Sequence, residues 1–299
     1  MKFSQVDVFS RTAYCGNSLA VFLDAGALSA RQRLAITNEL RHFETVFLEP
    51  TPEPTTWRAH VVALDGELPF AGHPLLGAAA VLHENAADRN ENEKQWIFLL
   101  PSRSIRVNTS TAVSSIRCTL ILQAPEWGSF LTNQQVKLLL AALSLKSEHR
   151  HPHLVPQVVD VGLRYLVVPV SSGIENACIR VNDLTERLGA VGADFVYLIQ
   201  VDAAKTKLAV EARHWTNDGR FEDVATGSGA AAAAAYLGMQ GLLETGQRYV
   251  LNQGRFTGRP SEIDISVTIQ GANVTGITVG GSVVAVAQGY LIRLPEGNA

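Results

Sequence analysis

Two segments of this chain look alike, and their likeness constrains the fold more than any other feature. The first, Phe70-Ala71-Gly72-His73-Pro74, runs into Leu75-Leu76-Gly77-Ala78-Ala79-Ala80-Val81-Leu82. The second, Asp223-Val224-Ala225-Thr226-Gly227-Ser228-Gly229, runs into the alanines 230–235 and then Tyr236-Leu237. Placing Gly72 on Gly227 without a gap brings His73 onto Ser228 and Leu82 onto Leu237. Each segment reads as a tight glycine turn opening a short helix that is apolar on every face. Such a helix is normally buried all round. Its N-terminus offers unpaired N–H groups and the positive end of a dipole, which suit a carboxylate or phosphate. One such turn per half implies a duplicated fold with a single anion-binding cleft between the halves.

The flanking sequence repeats in the same order. Val6-Asp7-Val8-Phe9 and Leu19-Ala20-Val21-Phe22 read as strands, and Ser29-Ala30-Arg31-Gln32 is a capping box opening a helix to about Leu40. Thr45–Leu48, Arg58–Leu64, Gln95–Leu100, Ser104–Val107 and Ser115–Gln123 complete the strands of the first half. Ala124-Pro125-Glu126-Trp127-Gly128 reads as a linker. A second capped helix opens at Thr132-Asn133-Gln134-Gln135 and runs to about Leu145. Val158–Val161 and Tyr165–Val170 then read as strands, and Asn182-Asp183 caps a short helix from Leu184 to Leu188. Phe195–Ile199, Lys207–Ala212 and the alternating Ile263–Ile269 are further strands. Ile277–Val279 and Val283–Ala287 follow, separated by Gly280-Gly281. Alternation means sheets with one wet face, hence mainly antiparallel pairing. The expected fold is α+β, with two similar domains, each a mostly antiparallel sheet wrapped around a central buried helix. The expected domains are 1–124, which the last strand at about 284–299 can complete, and 125–283.

Composition excludes several classes. At 299 residues, 46% hydrophobic and 18% charged, the chain is globular and has no disordered character. A net charge of −3, with Lys and Arg scattered, gives no footprint for nucleic acid. The longest apolar run, Gly229–Met239, is too short to cross a bilayer. Three cysteines without CxxC spacing fit a reducing cytosol, and no signal-peptide core opens the chain. The expectation is a cytoplasmic protein that binds neither membrane nor nucleic acid. No GxGxxG, P-loop, nucleophile elbow or zinc motif is present.

A few residues carry candidate chemistry. Glu44, in His42-Phe43-Glu44-Thr45-Val46-Phe47, is either a solvated loop carboxylate or a general acid/base desolvated by Phe43, Val46 and Phe47. His73, at the first buried helix's N-terminus, is either a structural turn residue or a neutral ring able to take or give a proton. Asp223, ahead of the second buried helix, is either an N-cap or a member of the site. Thr226 and Ser228 are either caps or hydroxyl ligands of a substrate carboxylate, beside the N–H groups of Gly227 and Ser228. His149, His151 and His153 read as a solvated loop rather than a metal site, and Cys15 as a small buried cysteine.

Taken together, these segments resemble the phenazine biosynthesis PhzF family, which shares the diaminopimelate epimerase fold. The resemblance runs from Val6–Phe9 and Gly16–Val21 through Glu44-Thr45, Ala71–Pro74 and Asp223–Ser228. It continues to Gln253-Gly254, Gly258–Ser261 and Val279–Gly281. It implies a homodimer that uses no cofactor or metal, with its active site between two similar domains. In isomerase members a glutamate moves a proton between carbons of dihydrohydroxyanthranilate, assisted by a histidine, an aspartate and a serine. By motif these are Glu44, His73, Asp223 and Ser228, with Gly72, Thr226 and Gly227 beside the substrate. Related racemases use two thiols, at positions held here by Ala71 and Thr226. Val224 stands where the family usually has Pro, Phe43 where a Ser often precedes the Glu, and Leu75 where a Thr often follows His-Pro. The implied activity is a cofactor-independent isomerase acting on a small carboxylate. The alternatives are a non-catalytic binder of the same ligands and a one-base epimerase.

Overall fold

The computed structural model describes residues 1–69, 72–86, 92–101, 103–202 and 208–297. Phe70 and Ala71 of the first glycine turn, Lys207 at the head of an expected strand, and the last two residues of the expected closing strand lie outside that range. The chain divides into two compact units, Met1–Ile121 with Gly280–Ala299, and Leu122–Val279. Both combine sheet and helix, as the α+β reading requires.

The first unit holds β1 (Lys2–Val8), β2 (Asn17–Phe22), α1 (Ala30–Leu40), β3 (Glu44–Pro50), β4 (Thr56–Ala63), β5 (Gly66–Leu68), α2 (Gly72–Asn85), β6 (Glu93–Leu99), β7 (Ser104–Thr111) and β8 (Ile116–Leu122). Its strands follow the order β1-β2-β3-β4-β6-β7-β8, with β5 beside β4. The β2–β3 and β4–β6 pairs are parallel. α1 begins as its sequence requires, with Ser29 and Gln32 closing both halves of the capping box, a device that contributes about 1 kcal/mol. α2 is buried from His73 to His83. It packs against β1, β2, β3, β6 and β7, so a helix without a polar face meets apolar strands on several sides.

The second unit holds β9 (Glu126–Phe130), α3 (Asn133–Ala142), β10 (Gln157–Asp160), β11 (Arg164–Val170), α4 (Thr185–Gly189), β12 (Phe195–Asp202), β13 (Ala209–Arg213), α5 (Gly227–Met239), β14 (Tyr249–Gln253), β15 (Ser261–Gln270) and the first part of β16 (Asn273–Tyr290). Its strands run β16-β15-β14-β13-β12-β11-β10-β9. The β11–β12 and β13–β14 pairs are parallel and β9–β10, β10–β11, β12–β13 and β14–β15 antiparallel. α5 packs on β10, β11, β12 and β15, and every residue from Gly229 to Gly238 is buried. The glycines matched in sequence, Gly72 and Gly227, are the first residues of α2 and α5.

Three local expectations change. The stretch read as a linker is the edge strand β9. It pairs with β10 alone, so it leaves its residues largely exposed and shows no hydrophobic pattern. α3 stops at Ala142 rather than near Leu145, because Ser144 turns into the left-handed region (φ 61°) and Leu145 N–H bonds back to the Leu140 carbonyl. Gly280-Gly281 does not divide two strands. β16 runs straight through it, beside β8, and a Cβ on Gly280 would lie 2.3 Å from the Cys118 carbonyl oxygen. The glycine permits close contact here; it does not make a turn. Among the described residues, no helix is long and apolar enough to cross a membrane.

Candidate active site

In the first unit, α1 ends in a left-handed Arg41 (φ 59°), and three residues later β3 begins at Glu44. Parallel pairing with β2 and antiparallel pairing with β4, where Glu44 sits opposite Ala63, holds this strand end in place. Phe43 before it is 43% exposed and Thr45 after it is fully buried. Glu44 thus stands where an apolar sheet opens to the surface, its side chain 21% exposed. His73, the second residue of α2, brings Nε2 to 3.4 Å from Glu44 Oε2. Its side chain is 8% exposed, and burial pushes the imidazole down to about 3. The ring is therefore neutral and the contact is not an ion pair. Nε2 is buried and has no hydrogen-bond partner among the described residues. Native structures leave few buried polar atoms bare, and each calls for a physical reason.

The second unit builds around Asp223. β13 ends in Arg213, whose guanidinium grips both oxygens of Glu222 at 2.8 and 2.7 Å. It also donates to the carbonyls of Ile174 and Ala177 and lies over the rings of Trp215 and Phe256. The segment between is closed as a hairpin by a Trp215–Glu222 bridge, and Asp223 N–H donates to the His214 carbonyl at 2.9 Å. Asp223 is therefore delivered to the head of α5 by a clamped loop. Burial raises its carboxyl pKa, opposed by the nearby His214 and by hydrogen bonds from Thr226 and the Ala225 and Val224 amides. Val224 thus supplies an N–H that a proline at that position would lack. Burial also lowers the His214 ring. Its Nδ1 donates to the Val196 carbonyl at 2.9 Å, so Nε2 keeps the lone pair of the neutral form.

Thr226 occupies the N-cap position of α5, but its hydroxyl does not cap the helix. It donates to Asp223 Oδ2 at 2.6 Å instead, which sets aside the reading as a cap. Ala230 N–H makes the first intrahelical bond, to Thr226. The amides of Gly227, Ser228 and Gly229 therefore precede any helical acceptor, a donor set of the kind that suits an anion. Ser228 Oγ lies 2.7 Å from the Tyr165 hydroxyl, and the Tyr165 ring packs against Phe195, Tyr197 and His214. Gln253 ties the head of α5 to β14: its amide bonds Tyr197, Thr226 and the Asp223 carbonyl.

Each expected residue thus falls in one of two clusters: Gly72, His73 and Glu44 in the first unit, and Asp223, Thr226, Gly227 and Ser228 in the second. Sequence reasoning gave no role to Tyr165, His214, Arg213 or Gln253. Gln253-Gly254 was visible as a motif, and its geometry explains it. Gly254 has φ 82°, and a Cβ there would meet the Val224 and Arg259 carbonyls at 2.5 and 2.3 Å. Among the described residues no group of His, Cys, Asp or Glu is placed to hold a metal ion.

Comparison with known proteins shows the family and the fold. A family model for phenazine biosynthesis-like proteins, PhzC-PhzF, matches residues 6–289. The trans-2,3-dihydro-3-hydroxyanthranilate isomerase of Pseudomonas aeruginosa is 28% identical over 96% of this chain and 98% of its own. A solved structure described as a predicted epimerase from Pseudomonas aeruginosa is 40% identical with a TM-score of 0.87, over 98% of this chain and 99% of that one. The PhzF-family protein of Bacillus anthracis, 18% identical, shares the fold with a TM-score of 0.83 over 98% and 99% of the two chains. The family model spans all but the ends of the sequence, and the chain belongs to the PhzC-PhzF phenazine biosynthesis-like family.

Proposed function

We propose that this protein is a cofactor-independent isomerase that moves a proton between carbons of a small carboxylate substrate. The observation that carries the reading is the pair of Glu44 and a buried, neutral His73, whose Nε2 lies 3.4 Å from the carboxylate and has no hydrogen-bond partner among the described residues. A neutral ring beside the carboxylate does not lower its basicity, as a charged imidazolium would. Relatives named as isomerases over nearly the whole chain support the reaction class.

In this reading Glu44 takes a proton from a substrate carbon. The C–H bond breaks, an O–H bond forms on Glu44, and the electron pair enters the conjugated system of the substrate. The carboxyl then returns the proton to a different carbon, so the product is an isomer and the enzyme is restored. General acid/base transfer of this kind contributes roughly 10²–10⁴-fold. The amides of Gly227 and Ser228 and the Ser228 hydroxyl bind the substrate carboxylate, and the α5 dipole stabilises charge that develops as the proton leaves. Gly72 gives the same kind of terminus at α2. His73 and Asp223 orient the substrate or relay the proton.

The test is proton NMR in D₂O with trans-2,3-dihydro-3-hydroxyanthranilate and a panel of small cyclic and amino-acid carboxylates, with Glu44→Gln alongside. Deuterium entering a carbon position with wild type and not with Glu44→Gln is the expected result. Full exchange by Glu44→Gln would remove Glu44 from the chemistry. Line broadening by a bound ligand without exchange would make the protein a binder of these compounds instead.

A further inference from the structure

The hydrogen-bond polarity around Asp223 can be worked out from donors and acceptors that have no choice. The Thr226 backbone N–H can only donate, and it faces one end of the Gln253 amide at 3.1 Å. That end must be Oε1. The Asp223 backbone carbonyl can only accept, and it faces the other end at 2.9 Å, which must be Nε2. The two requirements agree, and Tyr197 donates its hydroxyl to the same Oε1 at 2.8 Å. Gln253 is 1% exposed, so no water competes. Its Nε2 also donates to Thr226 Oγ1 at 3.0 Å. The Thr226 hydroxyl oxygen therefore accepts a hydrogen bond from Gln253, and its own O–H donates to Asp223 Oδ2 at 2.6 Å.

We propose that Gln253, acting through Thr226, is a positioning residue that keeps Asp223 Oδ2 a hydrogen-bond acceptor and so favours the ionised carboxylate. A proton on Oδ2 would leave the Thr226 hydroxyl hydrogen facing another donor, at the cost of a buried unmade bond. The chain Tyr197–Gln253–Thr226–Asp223 has one direction from end to end. The amide of Gln253, which cannot titrate, imposes that direction. Other titratable groups face Asp223: His214, from the segment after β13, and Tyr197, from β12. Arg213 and Glu222 beside it are closed on each other. The functional meaning rests on the proposed role of Asp223 in catalysis; the direction of the Thr226 hydroxyl bond does not.

The test is ¹³C NMR titration of the Asp223 carboxyl in protein labelled at aspartate, with the signal assigned by Asp223→Asn. Thr226→Val keeps the shape and removes the hydroxyl; Thr226→Ser restores it. Gln253→Glu removes both Nε2 donors. Urea unfolding of each variant reports whether it is folded. The expected result is an Asp223 midpoint raised by about one pH unit in Thr226→Val, because the ionised form loses a donor. Thr226→Ser should stay near wild type, and Gln253→Glu should shift the same way as Thr226→Val. An unmoved midpoint in a folded Thr226→Val, or in a folded Gln253→Glu where the valine variant does not fold, would overturn the proposal and leave both residues purely structural. The exchange assay with trans-2,3-dihydro-3-hydroxyanthranilate separates the two readings. Shifted midpoints with no exchange by wild type would keep the network and remove the catalytic role of the site.

Discussion

The hydroxyls of Tyr165 and Ser228 lie 2.7 Å apart, one on a buried strand and the other on the first turn of a buried helix. The Tyr165 ring is packed by Phe195, Tyr197 and His214, so its hydroxyl has a fixed place. With the phenol as donor, the serine proton is left for another acceptor, which in the proposed function is the substrate carboxylate. Tyr165→Phe is expected to keep the fold, with a change in unfolding free energy of about 1 kcal/mol or less. It is expected to weaken turnover of an exchanging carboxylate by roughly tenfold, mostly in KM. Steady-state kinetics beside urea unfolding check both halves.

Helix α5 can approach its sheet only because Gly229 has no side chain. A Cβ there would sit 2.5 Å from the Tyr197 ring, which is fully buried and cannot move aside. Gly229→Ala is expected to destabilise the protein by about 2–3 kcal/mol. Gly189→Ala, at a glycine where a Cβ meets nothing within 4 Å, is the control and should be neutral or slightly stabilising. Urea midpoints of the two variants decide it.

His73 has a folded-state pKa of about 3 against an ordinary 6.5. The folded protein thus binds this proton less readily than the unfolded chain. The stability linked to it is fully present above about pH 7 and is lost as pH falls through 6.5 toward 3. Between pH 7 and pH 4 the loss from this one group is roughly 3 kcal/mol. A His73→Asn variant should lack that share of the acid sensitivity when unfolding free energies are compared across pH. The His73 ring carbons should show no titration by NMR from pH 8 down to pH 5.

The cysteines separate by environment. Cys118 is fully buried, and burial, helped by the charge of Glu84, pushes its thiol well up. Cys178 is half-buried, and hydrogen bonding between its sulfur and the Ser144 and Arg180 side chains lowers its thiol. Under native conditions iodoacetamide should label Cys178 and leave Cys118 untouched until the protein is unfolded, as read by peptide mass spectrometry.

Much of this was legible because α2 and α5 lack polar faces, and an all-apolar helix after a glycine has few places to go. Ser29 and Thr132 announced their helices through capping boxes that both form. β9 was illegible because an exposed edge strand has no inward face to pattern. The continuity of β16 was illegible because Gly280 answers to a distant neighbour, Cys118. At the site, Glu44, His73 and Asp223 stood beside recognisable turns. Tyr165 looked like any apolar strand residue, and nothing near Gln253 in sequence says that it meets Thr226. Local pattern shows which side chains are buried, but the partners of a buried polar group are set by packing between distant segments.

β16 also sets an order of events. Its later residues pair with β1, and Met1 and Leu291 exchange backbone hydrogen bonds at 2.8 Å in both directions. While the chain is being made, β1 and β8 wait with bare edges until the residues beyond 280 emerge. The second unit, assembled from the contiguous stretch 122–279, can be finished by then. β1 and β8 are therefore made before the second unit but close after it, and until then they present two bare sheet edges.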